Sequence, residues 1–180
     1  CNSCHSHLAE HGGPRQDTKL CVTCHNPGTT DAESTNTVDL EVMIHKIHRG
    51  SGLPSVQAGT RYIIYGRNES VNDFSNVVFP QDVRNCTKCH DPSNPATPDA
   101  HLVFDQPTIR ACGACHDDVN FATGAGHPGG AQADNSMCTV CHRAGGYAGA
   151  VADSHVIPGQ VAAKAFQYNI VSVTDTAPGS

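Results

Sequence analysis

Apolar and polar positions follow a clear helical period at one place in the chain. Leu40, Met43, Ile44 and Ile47 recur at i, i+3, i+4 and i+7, Thr37 or Asp39 stands where a cap belongs, and Gly50 ends the run. The spacing predicts a helix over Val38 to Arg49, reached from a polar loop at 28–37. His45 and His48 fall on neighbouring positions of that helix. Three residues apart, the two rings cannot face each other across one metal ion, so as ligands they serve two ions held close together. Between Gly59 and Pro80 the period drops to two: Arg61 to Gly66 and Phe74 to Pro80 predict two short strands around an Asn- and Gly-bearing loop. After Pro158, Ala165 to Val173 alternates like a half-buried strand, and Pro178 and Gly179 would close it. Elsewhere Gly, Pro, Asn, Asp and Thr predict long irregular connections.

Composition changes this picture. With no Trp and 5% aromatic residues, the side chains offer little for a core. All ten Cys fall in five copies of one pentapeptide, Cys-x-x-Cys-His, at Cys1–His5, Cys21–His25, Cys86–His90, Cys112–His116 and Cys138–His142. This is the attachment signature of c-type haem, in which two thiols add to the haem vinyl groups and the adjoining His ligates the iron. A zinc ribbon needs no His directly after the second Cys, and a disulfide framework does not confine every Cys to one spacing. A thioredoxin-like site needs one such pair within a βαβ pattern, which is absent.

The motifs therefore predict five covalently bound haem c groups. Cys1, Cys4, Cys21, Cys24, Cys86, Cys89, Cys112, Cys115, Cys138 and Cys141 are the attachment residues, and His5, His25, His90, His116 and His142 the proximal ligands. Only about 36 residues serve each haem, so the macrocycles must supply much of the buried surface, and no fold is expected without them.

Five irons leave five axial sites, and seven His remain: His7, His11, His45, His48, His101, His127 and His155. The only Met, Met43 and Met137, lie beside other candidate ligands. Bis-histidine ligation throughout, with low potentials, is the expectation. His11 precedes Gly12-Gly13, and His127 stands among Gly124, Gly126, Gly129 and Gly130, where backbone approaches a flat cofactor closely. His155 follows the last motif among small residues. His7, two residues after a proximal His, and His101, in a Pro-rich stretch, rank below these. The segment from Gly59 to Pro80 is expected to cover a haem face.

The formal charge of -6 falls to roughly -11 oxidised and -16 reduced once propionates and iron are added, which argues against nucleic acid as a partner. Arg15, Lys19, Lys46, Arg49, Arg84, Lys88, Arg110 and Arg143 lie beside motifs or candidate ligands and are expected in part to meet propionates. There is no secretory leader and no apolar membrane-spanning segment. Haem attachment of this kind takes place outside the bacterial cytoplasm, and the numbering starts on a motif Cys. Together these predict a segment of a longer exported protein, with a haem domain over 1–157 and, over 158–180, a linker and the first strand of a following β domain.

Cys1–His5 with His11-Gly12-Gly13, Met43 to Gly50, Asp73 to Ser75 with Phe79 to Asp82, and Cys112 to Phe121 with Gly124 to Gly130 resemble one pentahaem domain of the outer-membrane decahaem cytochromes of metal-reducing bacteria, the OmcA/MtrC family. The resemblance implies a multihaem cytochrome c fold, mostly irregular, with short α-helices and a minor β-hairpin wrapped around five haems, and a C-terminal strand leading to a β domain. It implies His11, His45, His48, His127 and His155 as distal ligands, and a row of haems one, three, four and five with the second branching off the first. Which distal His serves which haem stays open.

The expected function is extracellular electron transfer at the cell surface. Electrons arrive from other multihaem cytochromes or an outer-membrane porin–cytochrome complex, and leave to metal oxides, chelated metals or flavins. The alternatives are a multihaem nitrite or sulfite reductase, a periplasmic shuttle, and a cytochrome filament subunit. Every motif ends in His and five donors remain for five irons, so no axial position has to be vacant for a substrate.

Overall fold

The structure, a computed structural model, describes residues 1 and 3–174. Short helices and one hairpin are strung along irregular chain: α1 Thr18–Cys21, α2 Leu40–Arg49, α3 Pro54–Gln57, β1 Ile63–Tyr65, β2 Val71–Asp73, α4 Leu102–Asp105, α5 Ile109–Cys115, α6 Cys138–Cys141, α7 Val151–Ser154 and α8 Pro158–Lys164.

The helix expected from the apolar period is α2. Asp39 caps it, its side chain accepting from Glu41 N at 3.2 Å, and Gly50 ends it at φ 44°. A Cβ on Gly50 would also stand 2.3 Å from the Val77 carbonyl oxygen, so both conformation and space require glycine there. Helix α2 lies against α5. Polar clasps join them: Arg110 pairs with Asp39 and, at 2.9 Å, with Glu41, and Thr108 Oγ1 donates to Glu41 at 2.8 Å. Beside them Lys46 Nζ sits 2.7 Å from Asp117, which also accepts from Ser55 N at 2.9 Å and Ser55 Oγ at 2.6 Å. Burial opposes the Asp117 charge, but the Lys46 and Ser55 bonds outweigh it and hold the carboxyl below its ordinary range. Arg84 pairs with Asp82 at 2.6 Å. Lys46, Arg84 and Arg110, three of the residues expected beside propionates, are thus neutralised by protein carboxylates.

The first expected strand forms as β1, but the second lies earlier than Phe74 to Pro80. Tyr65 pairs with Val71 and Ile63 with Asp73, so β2 ends where the apolar run begins. The reason is local hydrogen bonding: Asp73 Oδ1 accepts from Ser75 N at 3.0 Å, and Ser75 Oγ accepts from Tyr62 N at 2.8 Å, turning the chain out of the ladder. The alternating segment 165–173 is no strand either. Helix α8 occupies the expected linker, and residues 167–174 have no strand partner among the described residues, leaving Tyr168, Ile170, Val171 and Val173 exposed. Pro178 and Gly179 lie outside the described residues.

Buried Asp31 ties the 28–37 loop to the hairpin, accepting from Ser34 N at 3.0 Å, from Ser34 Oγ and from Tyr65 N at 3.2 Å, while Asn36 Nδ2 donates to Ile63 O at 2.8 Å. The Ser34 hydroxyl above all, prevailing over burial with help from the two amides, lowers the Asp31 pKa from 3.8 to about 2. A depressed folded-state pKa means the stabilisation is complete above the ordinary carboxylate range and is lost as pH falls from about 4 towards 2. Acidification over that window is expected to free the loop, seen as lost amide protection at Ser34 and Tyr65 after correction for intrinsic exchange. In Asp31→Asn protection at these amides is already weak at neutral pH.

Very little is fully buried. Leu53, Tyr62, Ala100 and Ala114 make up the buried apolar residues among those described. The chain exposes 12537 Å², where a compact protein of 18.9 kDa exposes about 8,300 Å². The described chain buries little apolar surface of its own. No helix among the described residues is long and apolar enough to cross a membrane.

Candidate functional site

Each Cys-x-x-Cys-His motif folds into one helical turn. The His amide donates to the carbonyl of the first Cys at 3.0 Å for His5, 2.9 Å for His25, 2.8 Å for His90, 2.9 Å for His116 and 2.8 Å for His142. Five different sequence contexts give one local geometry, because the turn needs only the spacing. It also keeps the two thiols and the ring of each motif within a single turn. None of the ten Cys forms a disulfide among the described residues. Burial pushes the thiols of Cys86, Cys112, Cys115 and Cys138 up, as expected for sulfurs facing an apolar surround.

Every motif ring faces a second His ring. His5 stands 6.0 Å from His48, His25 5.8 Å from His11, His90 6.1 Å from His45, His116 6.3 Å from His155 and His142 6.4 Å from His127, measured between ring centres. The Nε2 atoms of His11 and His25 are 3.5 Å apart. Two imidazole–metal bonds of about 2 Å end to end span about 4 Å between nitrogens and roughly 6 Å between ring centres. The pairs therefore have the spacing of two axial donors on one metal. His7 and His101, both exposed, face no His ring among the described residues.

One ring of each pair is fixed through Nδ1. His45 Nδ1 donates to Glu41 O at 2.5 Å, His48 to Ile44 O at 2.8 Å and His155 to Val151 O at 2.8 Å, each to the carbonyl four residues earlier. His127 donates to Gly130 O at 2.8 Å, and His25 to Val38 O at 2.6 Å. With Nδ1 carrying the proton, Nε2 has the free lone pair a metal requires. Burial, with the neighbouring His45 adding to it, holds His90 below the usual imidazole range.

Two of the glycines around His127 are required by the loop itself. A Cβ on Gly124 would stand 2.4 Å from Ala131 N, and one on Gly129 2.9 Å from His127 Cε1. They let the loop fold back on itself and seat the ring, which positions His127 from its own segment. Two further features were not legible in sequence: Tyr62 Oη and Arg110 Nε are buried without a partner among the described residues. Such groups look for an acceptor, which a carboxylate from outside the chain would supply.

Among the described residues no three His, Cys, Asp or Glu side chains converge on one point as a zinc centre requires. Two facing His rings and two thiols on one turn would instead suit a haem, which brings its own nitrogen donors.

Comparison with known proteins agrees with this geometry. A family model described as outer membrane cytochrome MtrC/MtrF-like, domains II/IV, matches residues 1–156. No curated protein matches the chain. Among solved structures, the outer membrane decahaem cytochrome OmcA is 30% identical with a TM-score of 0.63, the match covering 89% of this chain and 23% of OmcA. MtrC from Shewanella baltica OS185 is also 30% identical, with a TM-score of 0.58, over 92% of this chain and 21% of MtrC. The chain thus spans under a quarter of either structure. The match over residues 1–156 places it: this chain belongs to the MtrC/MtrF-like outer membrane cytochrome family, in its domain II/IV class.

Proposed function

We propose that this chain holds five covalent haem c groups, each with two His ligands, and conducts electrons at the outer face of the bacterial outer membrane. The pairing of every motif His with a second His ring carries the proposal. The ligand pairs are His5 with His48, His25 with His11, His90 with His45, His116 with His155 and His142 with His127. Bound haem supplies one-electron chemistry between ferric and ferrous iron.

The chain's own part is positioning. Helix α2 carries His45 and His48 three residues apart and so clamps the first and third motifs together, although His5 and His90 lie 85 positions apart in the sequence. Helix α5, which lies against α2, ends in the fourth motif, and the Lys46–Asp117 ion pair ties His45's neighbour to His116's neighbour. The first, third and fourth motifs are joined through one helix pair, in keeping with a row. His25 and His11 come from the same N-terminal stretch, which suits a branch. Tyr62 Oη, buried without a partner among the described residues, is suited to donate to a propionate.

Two His on each iron leave no position for a small substrate, so transfer is outer-sphere. Other multihaem cytochromes or a porin–cytochrome complex deliver the electrons, and metal oxides, chelated metals or flavins accept them. Carbon monoxide added to the reduced natural protein is expected to give no carbonyl spectrum. A stoichiometric carbonyl complex would move the assignment to a reductase. Protease treatment of intact cells is expected to cleave the protein, and its protection would sink the surface location.

A further inference from the structure

The five His pairs differ in the angle between their ring planes. His45 and His90 are 10° apart and His11 and His25 18° apart, close to parallel. His127 and His142 stand at 33°. His116 and His155 stand at 69° and His5 and His48 at 80°, close to perpendicular. In each pair one ring is held through its Nδ1 bond to a backbone carbonyl, and such outer partners set how that ring is turned. His48 is braced further by Phe79, whose ring meets it edge-on at 5.7 Å.

We infer that this chain uses ring orientation to sort its five sites into distinct electronic classes, with His5/His48 and His116/His155 in one, His25/His11 and His90/His45 in another, and His142/His127 between them. The inference rests on the bis-His reading above. An imidazole acts on a metal's dπ orbitals through the π orbital perpendicular to its ring. Parallel rings raise the same dπ orbital and split the pair; perpendicular rings raise one each and leave the pair nearly degenerate. Low-spin ferric iron with three electrons in a split pair gains half the splitting, whereas ferrous iron with four gains nothing. Parallel rings therefore favour the ferric state and perpendicular rings favour the ferrous one, on top of the effects of charge and exposure on potential. Backbone carbonyls at Ile44 and Val151 thereby act as positioning groups for the more easily reduced class.

The degeneracy has a direct signature. A nearly degenerate pair leaves orbital angular momentum unquenched and gives a wide, strongly anisotropic low-spin signal, while a split pair gives a resolved rhombic one. The test is frozen-solution electron paramagnetic resonance of the oxidised natural protein with spin quantitation, and the covalent haem count from intact mass. Two wide centres, two rhombic centres and one between are expected. His48→Met should remove one wide centre and leave the rhombic ones, and His45→Met one rhombic centre and leave the wide ones. Five low-spin centres in a single rhombic envelope overturn the inference while leaving five bis-His haems intact. A haem count other than five, or a high-spin centre in the natural protein, overturns both this inference and the reading beneath it. If either variant fails to fold, the spectrum of the natural protein decides.

Discussion

Produced without haem attachment, this chain is expected to show no cooperative melting transition and to be degraded throughout by protease. Leu53, Tyr62, Ala100 and Ala114 are the buried apolar residues among those described, too few to offset the entropy lost in ordering the chain. Clasps such as Lys46–Asp117 do not close the gap, since a paired charge contributes little beyond its own desolvation. Circular dichroism of the chain made in cells lacking haem attachment checks this; a native-like spectrum with a sharp transition would refute it. Replacing both thiols of one central motif, Cys112 and Cys115, with Ala is expected to have a smaller form of the same effect, loosening α5 from α2.

The second large effect concerns α2. His45→Ala and His48→Ala are each expected to turn one of the five haems high-spin and able to bind carbon monoxide, and the double variant two. The stoichiometry is the decisive quantity. Rings three apart on one helix, one facing His90 at 6.1 Å and the other His5 at 6.0 Å, serve different irons. If the double variant bound only one carbon monoxide, the two rings would share a site. If either single variant kept five low-spin centres, that His would not be a ligand.

How much of this was readable in advance depends on the range over which each feature is set. The helix α2, its Asp39 cap and its Gly50 stop follow from side chains within a few residues, and the structure has them at the expected places. The five attachment turns are likewise local. The strand β2 was misplaced because apolar alternation at Phe74 to Pro80 competes with Asp73 and Ser75, which bond nearby backbone and end the ladder first. The Arg and Lys near the motifs were assigned by proximity in sequence, whereas Arg110 meets Asp39 from 71 residues away.

By itself the sequence determined the five Cys-x-x-Cys-His motifs, their local turns, and the seven His that lie outside them. Tertiary structure decided which His ring faces which motif, from His11 facing His25 at a distance of 14 residues to His45 facing His90 at 45. It also decided the angle at which each pair of rings meets. The motif turn is set within five residues and recurs in all five contexts of this chain. Pairing and angle arise only when distant loops are brought together, and in a chain with so small a core of its own nothing local records how they return.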